Sequence, residues 1–136
     1  MNKKFLVSWI VIFVLWQAGG FLVHGVLLGP DYAAMGTMRP EAEQMSMMHL
    51  MLLAHAILAG AFVWVYARGV ENKPWLGQGL RFGFAVACIA VIPTYLIYYV
   101  VMPTPGAVAA KQIVFDTILT TLLGAVTAWL YRGQGR

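Results

Sequence analysis

The chain has 136 residues, of which 61% are apolar and only 10% charged, with a mean hydropathy of +0.76. Soluble domains carry roughly 45–50% apolar and 25% charged residues, and a soluble fold this small buries only about 60–70% of the surface it can expose, so the composition calls for a bilayer as solvent. That excludes a soluble enzyme, a disulfide scaffold, a disordered tail and a nucleic-acid module, because the net charge of +4 is scattered in ones and twos between apolar runs instead of forming a basic patch.

The first apolar run, Phe5 to Gly29, carries no formal charge and as a helix spans about 37 Å, more than the ~30 Å hydrocarbon core. Lys3 and Lys4 ahead of it resemble a signal-peptide start, but the run outlasts an h-region and no small-x-small site closes it, so it is expected to stay as a membrane helix. Pro30 to Met45 gathers Pro30, Asp31, Gly36, Arg39, Pro40, Glu41 and Glu43, which predicts a loop of about sixteen residues. The second run extends from Ser46, a suitable N-cap, to Ala67. Arg68 to Gln78 is a short polar connection with Trp75 at the interface. The third run, Gly79 to Met102, contains Pro93, which removes a backbone donor and predicts a kink. Pro103, Thr104, Pro105 and Gly106 form a tight hairpin before the fourth run, Ala107 to Tyr131.

The expected fold is therefore all-α: one domain over residues 1–136, a polytopic bundle of four transmembrane helices. With a cytoplasmic N-terminus, Lys3, Lys4, Arg68, Lys73, Arg81, Arg132 and Arg136 lie inside and only Arg39 and Lys111 outside. That distribution satisfies the positive-inside rule with both termini cytoplasmic. Trp64, Tyr66, Trp75, Trp129 and Tyr131 then fall near the inner interface, and Tyr32, Tyr98 and Tyr99 near the outer one. The single cysteine, Cys88, makes no internal disulfide and reads as a small packing residue.

Helices in lipid associate through close backbone contact at small residues. Gly25 and Gly29 form a GxxxG pair in the first helix, Gly79 and Gly83 another in the third, and Ala56 and Gly60 a small-xxx-small pair in the second. These are the candidate packing faces, within the chain or toward a homo-oligomer or a partner membrane protein.

Polar groups in hydrocarbon need a role or a partner. Gln17 and His24 share a face of the first helix, the second carries His49 and His55, the third Thr94, Tyr95 and Tyr98, and Asp116, Thr120 and Thr127 make a stripe on the fourth, which together imply an inward polar face. Counted along the helices at 1.5 Å per residue, His24 is roughly 7 Å from the outer end, His49 about 5 Å, His55 about 14 Å, Tyr98 about 6 Å and Asp116 about 5 Å. All three histidines, the one intramembrane acid and a tyrosine thus share the outer half. Their chemistry suits a transition metal, or haem b held by two imidazoles, though no cofactor is demanded by the sequence. His49 and His55 lie about 120° apart around their helix and cannot chelate as an i,i+4 pair. The bland alternative is that each histidine only sets helix register.

Two further readings come from the same region. Met45, Met48 and Met51 flank His49, and thioether with imidazole suits Cu(I), although methionine at helical spacing also fills gaps. Asp116 is the candidate carboxylate for proton-linked export of amphipathic cations by a small dimeric transporter.

The chain resembles a family of small bacterial four-helix inner-membrane proteins classed as a domain of unknown function. The likeness rests on Trp16, Gly19 and Gly20 followed by Gly29-Pro30-Asp31-Tyr32, the Gln78-Gly79-Leu80-Arg81-Phe82-Gly83 entry to the third helix, Pro93-Thr94-Tyr95, and Lys111-Gln112-Ile113-Val114-Phe115-Asp116. It implies four helices in a bacterial inner membrane and carries no chemistry. The leading functional expectation is a non-catalytic accessory or assembly subunit of a larger membrane complex. The alternatives are a haem- or metal-binding protein and a transporter, with lipid as the surroundings in each case.

Overall fold

A computed structural model describes residues 2–133, and within them the chain is helical with four helices long and apolar enough to cross a membrane. We number the helices in chain order: α1 Lys3–Leu27, α2 Gly29–Met35, α3 Glu41–Ser46, α4 Met48–Gly69, α5 Trp75–Val101 and α6 Gly106–Leu130. Helices α1, α4, α5 and α6 are the four long ones, and α2 and α3 are short. Arg136, counted above among the inner basic residues, lies outside the described residues.

The long helices begin and end where local chemistry dictates. Asn2 caps α1, its side chain accepting from the Lys4 amide at 3.1 Å, which satisfies one of the free donors of the first turn. Pro74 and Pro105 immediately precede α5 and α6, where the fixed φ of proline suits a helix start. Two stretches widen to π-helix, Phe21–Leu27 in α1 and Ala87–Val91 in α5. The second ends two residues before Pro93, and Thr94 Oγ1 donates to Ala90 O at 2.6 Å, so a side-chain hydroxyl satisfies a carbonyl beside the proline.

Helices α5 and α6 pack with their backbones nearly touching. A Cβ added to Gly83 would lie 2.5 Å from Thr120 O, and one added to Gly79 would lie 2.6 Å from Gly124 O. The glycine pair thus meets a third glycine, Gly124, and absence of side chains lets the two main chains make the dispersion contacts that hold helices together in lipid. The α1–α4 contact differs. Trp9 lies over Gly60, where an added Cβ would meet the indole at 3.0 Å, and Trp9 Nε1 donates to Ala56 O at 2.8 Å. The Ala56/Gly60 notch therefore receives an aromatic ring. By contrast, an added Cβ at Gly25 would meet only its own helix's Phe21, and at Gly29 would meet nothing within 4 Å.

The buried core joins Ile12 and Trp16 of α1, Ala59, Phe62, Val63 and Tyr66 of α4, and Leu123, Ala128 and Tyr131 at the far end of α6. Phe62 and Tyr66 both touch Phe82 of α5, at 4.7 and 5.2 Å between ring centroids. Lys4 Nζ sits 5.3 Å above the Tyr131 ring, which places the start of α1 and the end of α6 at the same end of the bundle. Outward faces of all four long helices are apolar and exposed, with Ile10, Phe21, Ile57, Ile89 and Val100 among the most open side chains, as a lipid-facing surface requires.

Several expectations are corrected. The segment read as a loop between the first two spans contains α2 and α3. Pro30 at the second position of α2 and Gly36 beyond its end, at φ 64°, bound the first of them, the proline-start, glycine-stop pattern. Glu41 and Glu43 in the first turn stabilise the second through the helix dipole. Ser46 does not cap α4: it ends α3 and its Oγ donates to Glu43 O at 2.7 Å. The polar connection is shorter than expected, since α5 starts at Trp75. Cys88 is exposed on α5 and is not a packing residue. Tyr66 and Tyr131 are 3% and 5% exposed, core groups instead of interfacial anchors. Trp64 and Trp129 are exposed, each beneath a guanidinium at 4.9 Å, Arg68 and Arg132 respectively.

Candidate functional site

At the end of the bundle away from the termini, four long helices enclose a cleft of about 350 Å³. Trp16, Gly20 and His24 line it from α1, His55 and Leu58 from α4, and Asp116, Leu119 and Thr120 from α6. The α5 wall carries Ala90, Thr94 and Tyr98 at four-residue spacing together with Tyr95, which sets them on one face of that helix.

Asp116 is the centre of its polar lining. Its side chain is only 13% exposed, and its Oδ2 receives two groups: Tyr95 Oη donates to it at 2.5 Å and His24 Nε2 lies at 3.1 Å. On the other side of the imidazole, His24 Nδ1 is 2.7 Å from Tyr32 Oη. Gln112 Nε2 donates to that same hydroxyl oxygen at 3.0 Å. The tautomer follows from the donor count. With Gln112 giving a proton to the Tyr32 oxygen, the Tyr32 hydrogen is directed at His24 Nδ1, His24 carries its hydrogen on Nε2, and that hydrogen goes to Asp116. With Gln112 as the donor to Tyr32, every donor in this chain of bonds has an acceptor when the imidazole is neutral and the carboxylate ionised.

In that arrangement the pair bears one net negative charge. The nearby ammonium, Lys111 Nζ, is already bonded to Asp31 Oδ2 at 2.8 Å and Oδ1 at 3.1 Å. Among the described residues both bonds to Asp116 go to Oδ2, leaving Oδ1 without a protein donor. Across the cleft His55 Nδ1 is buried without a hydrogen-bond partner, as are Gln17 Nε2 and Thr117 Oγ1 elsewhere in the interior. An unpaired polar atom in so apolar a setting costs about 1–3 kcal/mol and marks a place where a ligand or water completes the bonding.

Helix α2 closes the end of the bundle over this network. Tyr32 stacks on His24 with rings 7° from parallel and 6.0 Å between centroids, and the Asp31–Lys111 ion pair ties α2 to α6. Burial raises the Tyr32 hydroxyl above the usual tyrosine range; the Gln112 bond opposes this and the charges of Asp116 and Asp31 add to it.

The structure brings His24 and Asp116 together, places His55 and Tyr98 on the same cleft, and leaves His49 outside it, exposed one and a half turns earlier on α4. Tyr98 lines the wall, but the bond to Asp116 comes from Tyr95, one turn before it. Met45 lies on α3 and Met48 and Met51 on the first turn of α4, with Met45 and Met51 exposed. Among the described residues no three His, Cys, Asp or Glu side chains gather as a metal site. Both nitrogens of His24 are engaged, so a metal or haem iron would have to displace Tyr32 or Asp116. Tyr95 stands with Thr94 and Tyr98 on the inward polar face expected of the third helix, where Tyr98 is the candidate site residue; Tyr32 and Gln112 are not singled out by spacing, their signal being an aromatic after Gly29-Pro30 and a polar residue one turn from Asp116. No protein-family model, curated protein or solved structure matches the chain.

Proposed function

We propose that the protein is a multi-pass bacterial inner-membrane protein, with both termini cytoplasmic, that binds a small organic cation in its cleft against the Asp116 carboxylate. The observation that carries this reading is the direction of the donors around Asp116: they account for a neutral His24, an ionised Asp116 and a free Oδ1 in a largely apolar cleft. A buried, uncompensated carboxylate favours a cationic, hydrogen-bond-donating guest.

Proton and guest compete for the same charge. The titratable groups facing Asp116 are His24 on α1, Tyr32 on α2, His55 on α4 and Tyr95 and Tyr98 on α5, with the Asp31–Lys111 pair beside them. A carboxylate in lipid can hold a proton or a cationic guest, one in place of the other. That exchange is what a proton-linked exporter needs. A bend in α5 at Pro93, prepared by the π-helical stretch before it, would give the outer half of that helix room to move.

The test is equilibrium binding of benzylammonium to the protein in lipid nanodiscs. We expect binding that weakens at least about tenfold in Asp116→Asn, in line with loss of a charged hydrogen bond. Equal binding by wild type and Asp116→Asn would overturn the reading.

A second reading, an accessory subunit seated on a larger membrane protein or on a second copy, is supported by Gly25 on α1 and Gly29 at the start of α2: the break at Leu28 splits this expected GxxxG pair between two helices, and an added Cβ at either glycine meets no other helix among the described residues. Native mass spectrometry of gently extracted membranes separates the two: a stoichiometric larger partner favours the accessory role, and a bare or dimeric chain favours the carrier.

A further inference from the structure

We infer that the guest is a single-chain amphiphile that enters the cleft sideways from the bilayer, between α4 and α5, with its ammonium head on Asp116 and its chain left in lipid. This rests on the cation-binding reading above and adds the guest's class and route.

The first observation concerns how α4 and α5 are joined. Their aromatic contacts, Phe62 and Tyr66 against Phe82, are at the end of the bundle that carries the termini. Along its length α4 makes its backbone approaches to α1 and, less extensively, to α6, and α5 is not among its main backbone neighbours. Aromatic side chains thus bridge α4 and α5 at the end that carries the termini, and no comparable backbone seam joins them beside the cleft.

The second observation is that the cleft lining is most exposed along that gap, although the His24 side chain on α1 is also 36% exposed. On α5 the lining residues Ala90, Thr94 and Tyr98 are all exposed, Tyr98 to 52%, and on α4 Leu58 is 36% exposed. On the α1 and α6 walls Trp16 and Thr120 are buried, at 8% and 2%. In a membrane the exposed rim faces lipid tails, so the mouth opens into hydrocarbon.

The third observation is the closure of the other route. From the aqueous end the approach to His24 is covered by α2, held by three separate attachments: Tyr32 to His24, Gln112 to Tyr32, and Lys111 to Asp31. A water-borne guest must break these, whereas a lipid-borne guest need not. A head that donates hydrogen bonds matches Asp116 Oδ1, and an apolar chain matches Leu58 and Ala90 on the two sides of the rim.

The experiment compares dodecylammonium with benzylammonium, the same head with and without a chain that anchors in lipid, using protein in nanodiscs and stopped-flow binding. Wild type is set beside Ala90→Trp, which fills the mouth from an exposed position, Lys111→Met, which loosens α2, and Asp116→Asn. We expect Ala90→Trp to slow dodecylammonium entry at least about tenfold while Lys111→Met leaves it unchanged. If Lys111→Met instead speeds entry of both amines and Ala90→Trp has no effect, entry is from water and the inference is overturned while the cation site stands. If neither amine's binding depends on Asp116, the cation site itself fails. Should Ala90→Trp perturb the fold, Leu58→Trp offers the same obstruction from α4, and the same outcomes decide.

Discussion

His24 and Asp116, 92 positions apart in the chain, are joined by a 3.1 Å hydrogen bond between Nε2 and Oδ2. It links the last turn of α1 to the first half of α6, and it is the contact on which the charge of the cleft depends. A double-mutant cycle with His24→Phe and Asp116→Asn is expected to give a coupling of about 1–2 kcal/mol in reversible unfolding, between the values for charged hydrogen bonds in water and for polar pairs in membranes. Additive effects of the two substitutions would remove the basis for the assigned tautomer.

Glycines of the same sequence type are expected to behave in opposite ways. Gly83→Ala puts a methyl 2.5 Å from Thr120 O, a backbone atom that cannot step aside, and should cost about 1–3 kcal/mol by overpacking the α5–α6 seam. Gly29→Ala meets nothing within 4 Å and should leave stability unchanged or raise it by up to about 1 kcal/mol. Unfolding in mixed micelles monitored by circular dichroism measures both.

Trp9→Phe keeps an aromatic ring over Gly60 but removes the 2.8 Å bond to Ala56 O. The loss should be about 1 kcal/mol, the net value of a neutral hydrogen bond. Trp9→Ala should cost about 3 kcal/mol or more, because the ring's packing goes with it.

Tyr32 predicts an alkaline dependence. Its folded pKa is raised by burial, so the native state holds that proton at pH values where the unfolded chain has released it. The resulting stability is complete below the unfolded pKa and is lost as pH rises through the folded one. Tyrosinate absorbance in an alkaline titration should show late-titrating groups, one fewer in Tyr32→Phe, and the variant should lose less stability than wild type on going from neutral to alkaline pH.

The ion pair holding α2 is a weaker element. Lys111 and Asp31 have side chains 46% and 27% exposed, so Lys111→Met should cost no more than about 1 kcal/mol and its effect should fade in high salt.

Much of this architecture was legible residue by residue. Four apolar runs, each long enough for the hydrocarbon core, and the charges and prolines between them set the helices to within a few residues: Phe5 to Gly29 was expected where α1 is Lys3–Leu27, and Ala107 to Tyr131 where α6 is Gly106–Leu130. Burial in lipid makes helix formation a local obligation, since each backbone donor must be satisfied within its own segment. Gly79 and Gly83 were visible as a small-residue pair for the same reason, being neighbours on one helix.

Tertiary packing decided the rest. Spacing along α5 favours neither Tyr95 nor Tyr98 as the partner of Asp116; the rotation of α5 on the Gly79/Gly83/Gly124 seam, with its π-helical turns, turns Tyr95 inward. His49 and His55 sit on one helix and look equivalent in composition, yet only His55 faces the cleft. Tyr32, read as an interfacial anchor in a loop, becomes the group that orients His24 because α2 folds back over the bundle end. Helix existence in a membrane is determined by hydropathy summed within each segment, whereas which polar groups meet is determined by helix rotation and by small contacts between segments distant in sequence, and these are properties of the assembled fold.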